Sequence, residues 1–142
     1  MDKKELVYVP MAVDILHPGH INIIKEAAKY GKVIVGLFSD EAIKSYKRVP
    51  YMNYEMRKII IENVKGVDEV ICQEIKDYSP NLIKLKPKYM VHGTDWREGP
   101  LADVRQKAID LMASWGGEVI EPEYTKGVSS SQLIKTIKER KK

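Results

Sequence analysis

The chain has 142 residues, 44% of them hydrophobic and 31% charged, the proportions of an ordinary soluble globular protein able to bury a core of its own. A formal net charge of +4 and a pI near 9.0 suit an anionic ligand, yet part of that excess is Lys135, Lys138, Arg140, Lys141 and Lys142, where basic groups complement a helix end, and no aromatic-interleaved basic repeat points to nucleic acid. The one cysteine, Cys72, excludes an internal disulfide and no apolar run could cross a membrane, so the expectation is a single cytoplasmic domain over residues 1–142 with no leader peptide and no membrane partner.

Leu6–Val13 predicts a first strand, and His20–Tyr30 a helix with an apolar face of Ile21, Ile23, Ile24, Ala27 and Ala28. Lys32–Phe38 is a near-continuous apolar run, the pattern of a parallel strand buried on both faces. Ser39-Asp40 caps a short helix reaching about Tyr46, and Asn53 caps another running to about Val64. Glu69–Gln73 is a third strand, and Ser79-Pro80 opens a helix with proline at its first position, closed by Pro87. A strand at Tyr89–His92, a helix over Leu101–Trp115 stopped by Gly116-Gly117, a strand at Glu118–Glu121 and a helix at Ser129–Arg140 complete the order.

This alternation implies right-handed crossovers and predicts an α/β fold: a Rossmann-like open five-stranded parallel sheet with helices on both faces. Such sheets bind ligands at the carboxyl ends of their strands, where strand order reverses. Asp14–His20, Ser39–Arg48, Gly93–Pro100 and Tyr124–Ser131 all follow strands and therefore belong at one edge.

The stretch Asp14-Ile15-Leu16-His17-Pro18-Gly19-His20 carries the most chemistry. A strand running into a helix N-terminus offers free N–H groups and a favourable dipole to a phosphate, and Gly19 lets the ligand approach the backbone. Singly, His17 and His20 are ordinary helix-start residues. Paired around Gly19, they are donors aimed at charge that develops on a phosphate. A serine triad lacks a serine elbow nearby, and a zinc site would need His92, whose place at a strand end suits a satisfied histidine better.

A second block, Tyr124-Thr125-Lys126-Gly127-Val128-Ser129-Ser130-Ser131, places hydroxyls at a helix start, where they cap the helix or bind an anion. A third, His92-Gly93-Thr94-Asp95-Trp96-Arg97, combines close backbone approach at Gly93, an acceptor for ribose or base in Asp95, and a wall in Trp96. Lys47 and Arg57 are cations of the kind that pair with phosphate oxygens, although a solvated surface role is the simpler explanation of each. Asp14 is placed to orient the turn or a bound metal ion.

Together these blocks resemble the cytidylyltransferase family: Asp-x-x-His-x-Gly-His at Asp14, His17, Gly19 and His20, then Tyr54-Glu55-x-Arg57, Gly93-x-Asp95-Trp96, and Thr125-x-Gly127-Val128-Ser129-Ser130. Met11-Ala12-Val13-Asp14, Ser45-Tyr46-Lys47-Arg48, Val104-Arg105-Gln106-Lys107, Trp115-Gly116-Gly117-Glu118 and Tyr124 look closer to the domain found with phosphoenolpyruvate phosphomutase in phosphonate biosynthesis. The resemblance implies transfer of CMP from CTP to a small phosphonate or phosphate, with pyrophosphate released, Mg²⁺ carried by the triphosphate without a dedicated protein metal site, and a homodimer.

By position it implies catalytic roles for His17, His20 and Lys47. The nucleotide would fall to Met11, Ala12, Asp14, Gly19, Gly93, Asp95, Thr125, Gly127, Val128, Ser129 and Ser130, and the acceptor to Arg57, Trp96, Arg105 and Tyr124. Three departures bear on substrate choice: Ala12 lacks a threonine hydroxyl, Thr94 replaces an acidic residue, and Lys126 replaces a glutamate. The alternatives are a polyol-phosphate cytidylyltransferase, an adenylyltransferase acting on a cofactor precursor, and a non-catalytic nucleotide-binding module.

Overall fold

In the computed structural model, which describes residues 5–123 and 129–140, five parallel strands form one sheet. They are β1 (Leu6–Met11), β2 (Lys32–Phe38), β3 (Glu69–Gln73), β4 (Tyr89–Val91) and β5 (Glu118–Ile120), in the order β3-β2-β1-β4-β5. The helices are α1 (Pro18–Ala28), α2 (Asp40–Lys44), α3 (Tyr54–Glu62), α4 (Ser79–Leu85), α5 (Ala102–Ala113) and α6 (Ser130–Arg140). Among the described residues no helix is long and apolar enough to cross a membrane.

Period-two alternation along the central strands sorts the core into two layers. Val7 and Val9 of β1 and Val33, Val35 and Leu37 of β2 join Ile24 and Ala27 of α1 and Ile61 of α3 on one face. Tyr8, Ile34 and Phe38 join α2, α4 and α5 on the other, through Ile43, Leu82, Ala108 and Met112. Both faces are covered, which is why the central strands read as unbroken apolar runs.

Strand order reverses between β1 and β4. Their pairing ends at Tyr8↔Met90, while β1 stays paired with β2 through Met11↔Leu37. Pro10 lies just past the last β1–β4 pair and has no N–H to give, so the sequence itself favours divergence at this point. The crevice so opened is where ligands of doubly wound sheets sit.

Several boundaries differ from expectation for local reasons. β1 stops at Met11 because Val13 takes φ 52°, a left-handed conformation that strains a β-branched residue and turns the chain toward α1. Pro80 occupies the second helical position, since α4 begins at Ser79, whose N–H is taken by the Asp77 carboxylate at 2.8 Å. Two short 3-10 turns, Thr94–Arg97 and Gly99–Leu101, precede α5 in the stretch expected to be loop.

Arg57, expected beside the acceptor, is instead a buried structural tie. Its side chain is fully buried, donating to the carbonyl oxygens of Ala12 (2.9 Å), Phe38 (2.6 Å) and Met52 (3.0 Å) and pairing with Asp40 at 2.7 Å. The planar five-donor guanidinium can satisfy all of these at once, whereas an ammonium cannot. Replacing Arg57 by methionine would strand Asp40 and three carbonyls, and denaturant unfolding is expected to show a loss of about 3 to 5 kcal/mol. The same change at exposed Lys65 should stay within about 0.5 kcal/mol.

Candidate active site

A cavity of about 570 Å³ opens at the switch point. Its floor is the end of β1, with Pro10, Met11 and Ala12, and one wall is the start of α1, with His17, Gly19 and His20. Tyr46 and Lys47 close it from the segment after α2, His92, Gly93, Thr94 and Asp95 from the segment after β4. Glu123, Ser129 and Ser131 line the side nearest α6.

The two histidines cap their own helix. His17 occupies the N-cap of α1, and its Nδ1 accepts from the Gly19 N–H at 3.0 Å. The His20 Nδ1 reaches back to accept from the His17 N–H at 3.2 Å, so imidazoles replace the usual hydroxyl and carboxylate of a capping box. With both Nδ1 atoms used as acceptors, each neutral ring carries its proton on Nε2, and that N–H is what the ring can offer to a ligand. The rings lie 4.0 Å apart, centroid to centroid. Gly19 is required here: a Cβ would fall 2.6 Å from His17 Cε1.

Electrostatics keep both rings uncharged. Burial pushes His20 down to about 3, reinforced by His17 and Lys47. His17 is lowered by burial and then by Lys47. Lys47 is itself lowered, first by burial and then by Arg48, with Asp95 and Asp14 acting the other way. Two neutral donors and one partly buried ammonium therefore face the space, a set suited to the oxygens of a polyphosphate.

Asp14 has the partners of an orienting residue and is not in the lining of the cavity. It is buried, accepting from Arg48 at 3.0 Å and from the backbone N–H groups of Tyr51 (3.0 Å) and Met52 (3.1 Å). The carboxylate thus ties the segment carrying Lys47 and Arg48 to the histidine turn.

Trp96 and Arg105 also lie away from the cavity surface. Trp96 is buried, stacked on His92 at 3.9 Å and 9°, and its Nε1–H donates to Glu121 at 2.6 Å. Arg105 pairs with the same carboxylate at 3.0 Å and Arg97 at 3.1 Å, and these donors, Arg105 foremost, hold Glu121 down to about 2. His92 bonds to the Gly93 carbonyl oxygen through Nδ1 at 2.8 Å, which places its proton on Nδ1 and marks it as a satisfied histidine. Among the described residues no three His, Cys, Asp or Glu side chains gather as a metal cluster.

Ser129 lines the cavity while its Oγ accepts from the Gln132 N–H at 3.0 Å, so capping and exposure to a ligand coexist in one residue. Ser130 begins α6. Tyr124, Thr125, Gly127 and Val128 lie outside the described residues. The sequence did not single out Pro10, Ile23, Phe38, Tyr46, Leu101 or Glu123 for the lining, whereas Ser131 belongs to the hydroxyl block expected there. Pro10 had a visible signal, a proline inside an apolar strand run, whereas Glu121 as the hub for Trp96 and two arginines had none.

Residues 12–136 match the family model described as cytidylyltransferase-like. The FAD synthase of Methanopyrus kandleri is 31% identical over 129 residues, covering 88% of this chain and 82% of its own length. The bifunctional protein HldE of Gluconobacter oxydans is 27% identical over 135 residues, and the chain, 92% covered, spans only 27% of that longer protein. A solved structure, the lipopolysaccharide core biosynthesis protein from Thermoplasma volcanium GSS1, superposes with TM-score 0.70 over 87% of this chain and 98% of its own, at 24% identity, and so bears on the fold alone. Both curated relatives carry names other than that of the phosphonate enzyme the motif blocks led one to expect.

The uncharged histidines have a pH signature. An imidazole in the unfolded chain protonates near pH 6.5, whereas folded His20 resists protonation until about 3. Between these values the unfolded state binds the extra proton, so acidification from about pH 7 lowers stability, and the loss stops growing near the folded value. Thermal midpoints of the wild type should fall more between about pH 7 and pH 5 than those of His20→Asn, whose amide oxygen can still accept from His17. Equal falls would mean that His20 is not held neutral by burial.

Proposed function

The chain belongs to the cytidylyltransferase-like family of nucleotidyltransferases, and from that premise we propose that it transfers AMP from ATP to the phosphate of a cofactor precursor. Its coarse activity is nucleotidyl transfer from a nucleoside triphosphate with release of pyrophosphate. The observation that carries the reading is the pair of Nε2–H donors fixed by the His17–His20 capping box beside Lys47 in one cavity. ATP as donor and a flavin-type phosphomonoester as acceptor rest on the relative named FAD synthase.

The reaction is an in-line displacement. An oxygen of the acceptor phosphate, already anionic at neutral pH, attacks the α-phosphorus, and no general base is required. The bond from the α-phosphorus to the bridging oxygen breaks, and its electron pair leaves on pyrophosphate. What the protein supplies is position and charge stabilisation. His17 and His20 donate to non-bridging α-oxygens as charge builds. Lys47 and the Ser129 region hold the β- and γ-phosphates, and Gly93 and Asp95 border the nucleoside. Asp95 and Glu123 are carboxylates on the cavity wall that suit the water shell of a Mg²⁺ arriving on the triphosphate. Such an ion supplies charge neutralisation.

A second reading, CMP transfer from CTP to a phosphonate, is favoured by the motif blocks at Ser45–Arg48 and Trp115–Glu118. A pyrophosphate-release assay crossing ATP and CTP with flavin mononucleotide, polyol phosphates and aminoalkylphosphonates separates the two. Turnover is expected with ATP and flavin mononucleotide, and turnover with CTP alone would overturn the adenylyl reading. Alanine at His17 or His20 should cut kcat by about 10²- to 10³-fold, as loss of one oxyanion donor does. Near-full activity in both variants would remove the imidazoles from the chemistry.

A further inference from the structure

A second cavity, of about 420 Å³, lies between the segment after α2 and helix α6. Its lining includes Arg48, Tyr51, Ile134, Lys135 and Lys138, and it shares Ser131 with the active-site cavity. The two spaces thus share one wall residue, and the chain passes from one lining to the other between Lys47 and Arg48. We propose that this groove is the subsite for the non-reacting body of the acceptor, and that it selects a ring-bearing phosphomonoester over a compact alkyl phosphate or phosphonate. The proposal rests on the phosphoacceptor reading above and extends it from the reacting phosphate to the rest of the molecule.

The chemistry of the lining sets the class. Arg48, Lys135 and Lys138 face one carboxylate, Glu139, so the groove favours anionic or acceptor-rich groups. Tyr51 is 59% exposed and Ile134 half-buried, an aromatic and an aliphatic surface for a ring to lie against. Arg48 stands 5.3 Å from the Tyr51 ring centroid and gives one Nη to Asp14, while its Nε–H finds no acceptor among the described residues. That Nε is buried, so what the guanidinium offers the groove is a positive charge held in place by Asp14. A phosphate at Lys47 leaves a short alkyl tail inside the first cavity. A ring joined to that phosphate through a polyol spacer reaches past Ser131 into the second, where stacking and cationic contacts become available.

The test uses the whole protein with flavin mononucleotide and AMP as ring-bearing probes and glycerol 3-phosphate as the compact one, with no triphosphate present. Binding of flavin mononucleotide, read by quenching of its own fluorescence, should weaken about tenfold or more in Tyr51→Ala and in the double variant Lys135→Ala/Lys138→Ala. The lysine-dependent part should also fall with added salt. Affinity for ATP and for glycerol 3-phosphate should stay within about twofold in both variants. Unmoved affinity for flavin mononucleotide, or no binding of either ring-bearing probe, overturns the proposal. So does a dimer that Tyr51→Ala dissociates, which would give the groove to a second copy of the chain. Variant-sensitive binding without adenylyl transfer keeps the groove and sinks the functional reading. Transfer to flavin mononucleotide with KM unchanged in both variants does the reverse.

Discussion

The buried guanidinium of Arg57 is the constraint on which the site rests. It holds the carbonyl end of β1 at Ala12, that of β2 at Phe38, the turn before α3 at Met52, and the first residue of α2 at Asp40. Two of these points, Ala12 and Phe38, line the crevice itself. With them fixed, Asp14 can collect Arg48 and the Tyr51 and Met52 N–H groups, and that second tie sets where Lys47 stands relative to the histidine turn. Two buried charges thus serve geometry, while two neutral imidazoles and one ammonium line the cavity. A buried cation without such partners would be costly, and the complete set of acceptors is what makes this one tolerable.

The histidine turn shows the same economy of means. A helix N-terminus must satisfy its first N–H groups, and here the side chains doing so are the groups whose far nitrogens face the cavity. Capping therefore fixes the tautomer: the backbone takes the lone pair of each Nδ1, and the proton stays on Nε2. Proton position, ring orientation and helix start are one structural fact, which explains why Gly19 admits no side chain. The strained Val13 sits immediately upstream, where the chain must bend sharply out of β1.

How far the sequence could be read depended on how local the physics was. Lys32–Phe38 and Glu69–Gln73 match the observed strands residue for residue: β2 is buried on both faces and reads as an unbroken apolar run, while the half-buried edge strand β3 is an apolar run bounded by polar Glu69 and Gln73. Ser39 and Asn53 cap as expected, since an N-cap bond spans only three residues. The histidine pair and the edge on which the loops meet also followed, from spacing and strand order. Arg57, Trp96 and Arg105 did not. A cation near a strand end looks the same whether it turns toward a ligand or toward carbonyls, and here the deciding partners lie up to 45 residues away. Trp96 turns inward because Glu121, 25 residues later, accepts its indole N–H.

The sheet is lopsided about its switch point. β1 and β2 are six and seven residues long and share six register pairs, whereas β4 and β5 have three residues each. Local opening follows the density of such pairing, so amide protons at 89–91 and 118–120 exchange with solvent ahead of those in the β1–β2 ladder. The histidine turn, which follows β1, is thereby seated on the stiff half and the His92–Asp95 wall, which follows β4, on the pliable half. A cavity divided in this way can hold one wall in register while the other yields to admit and release what it binds.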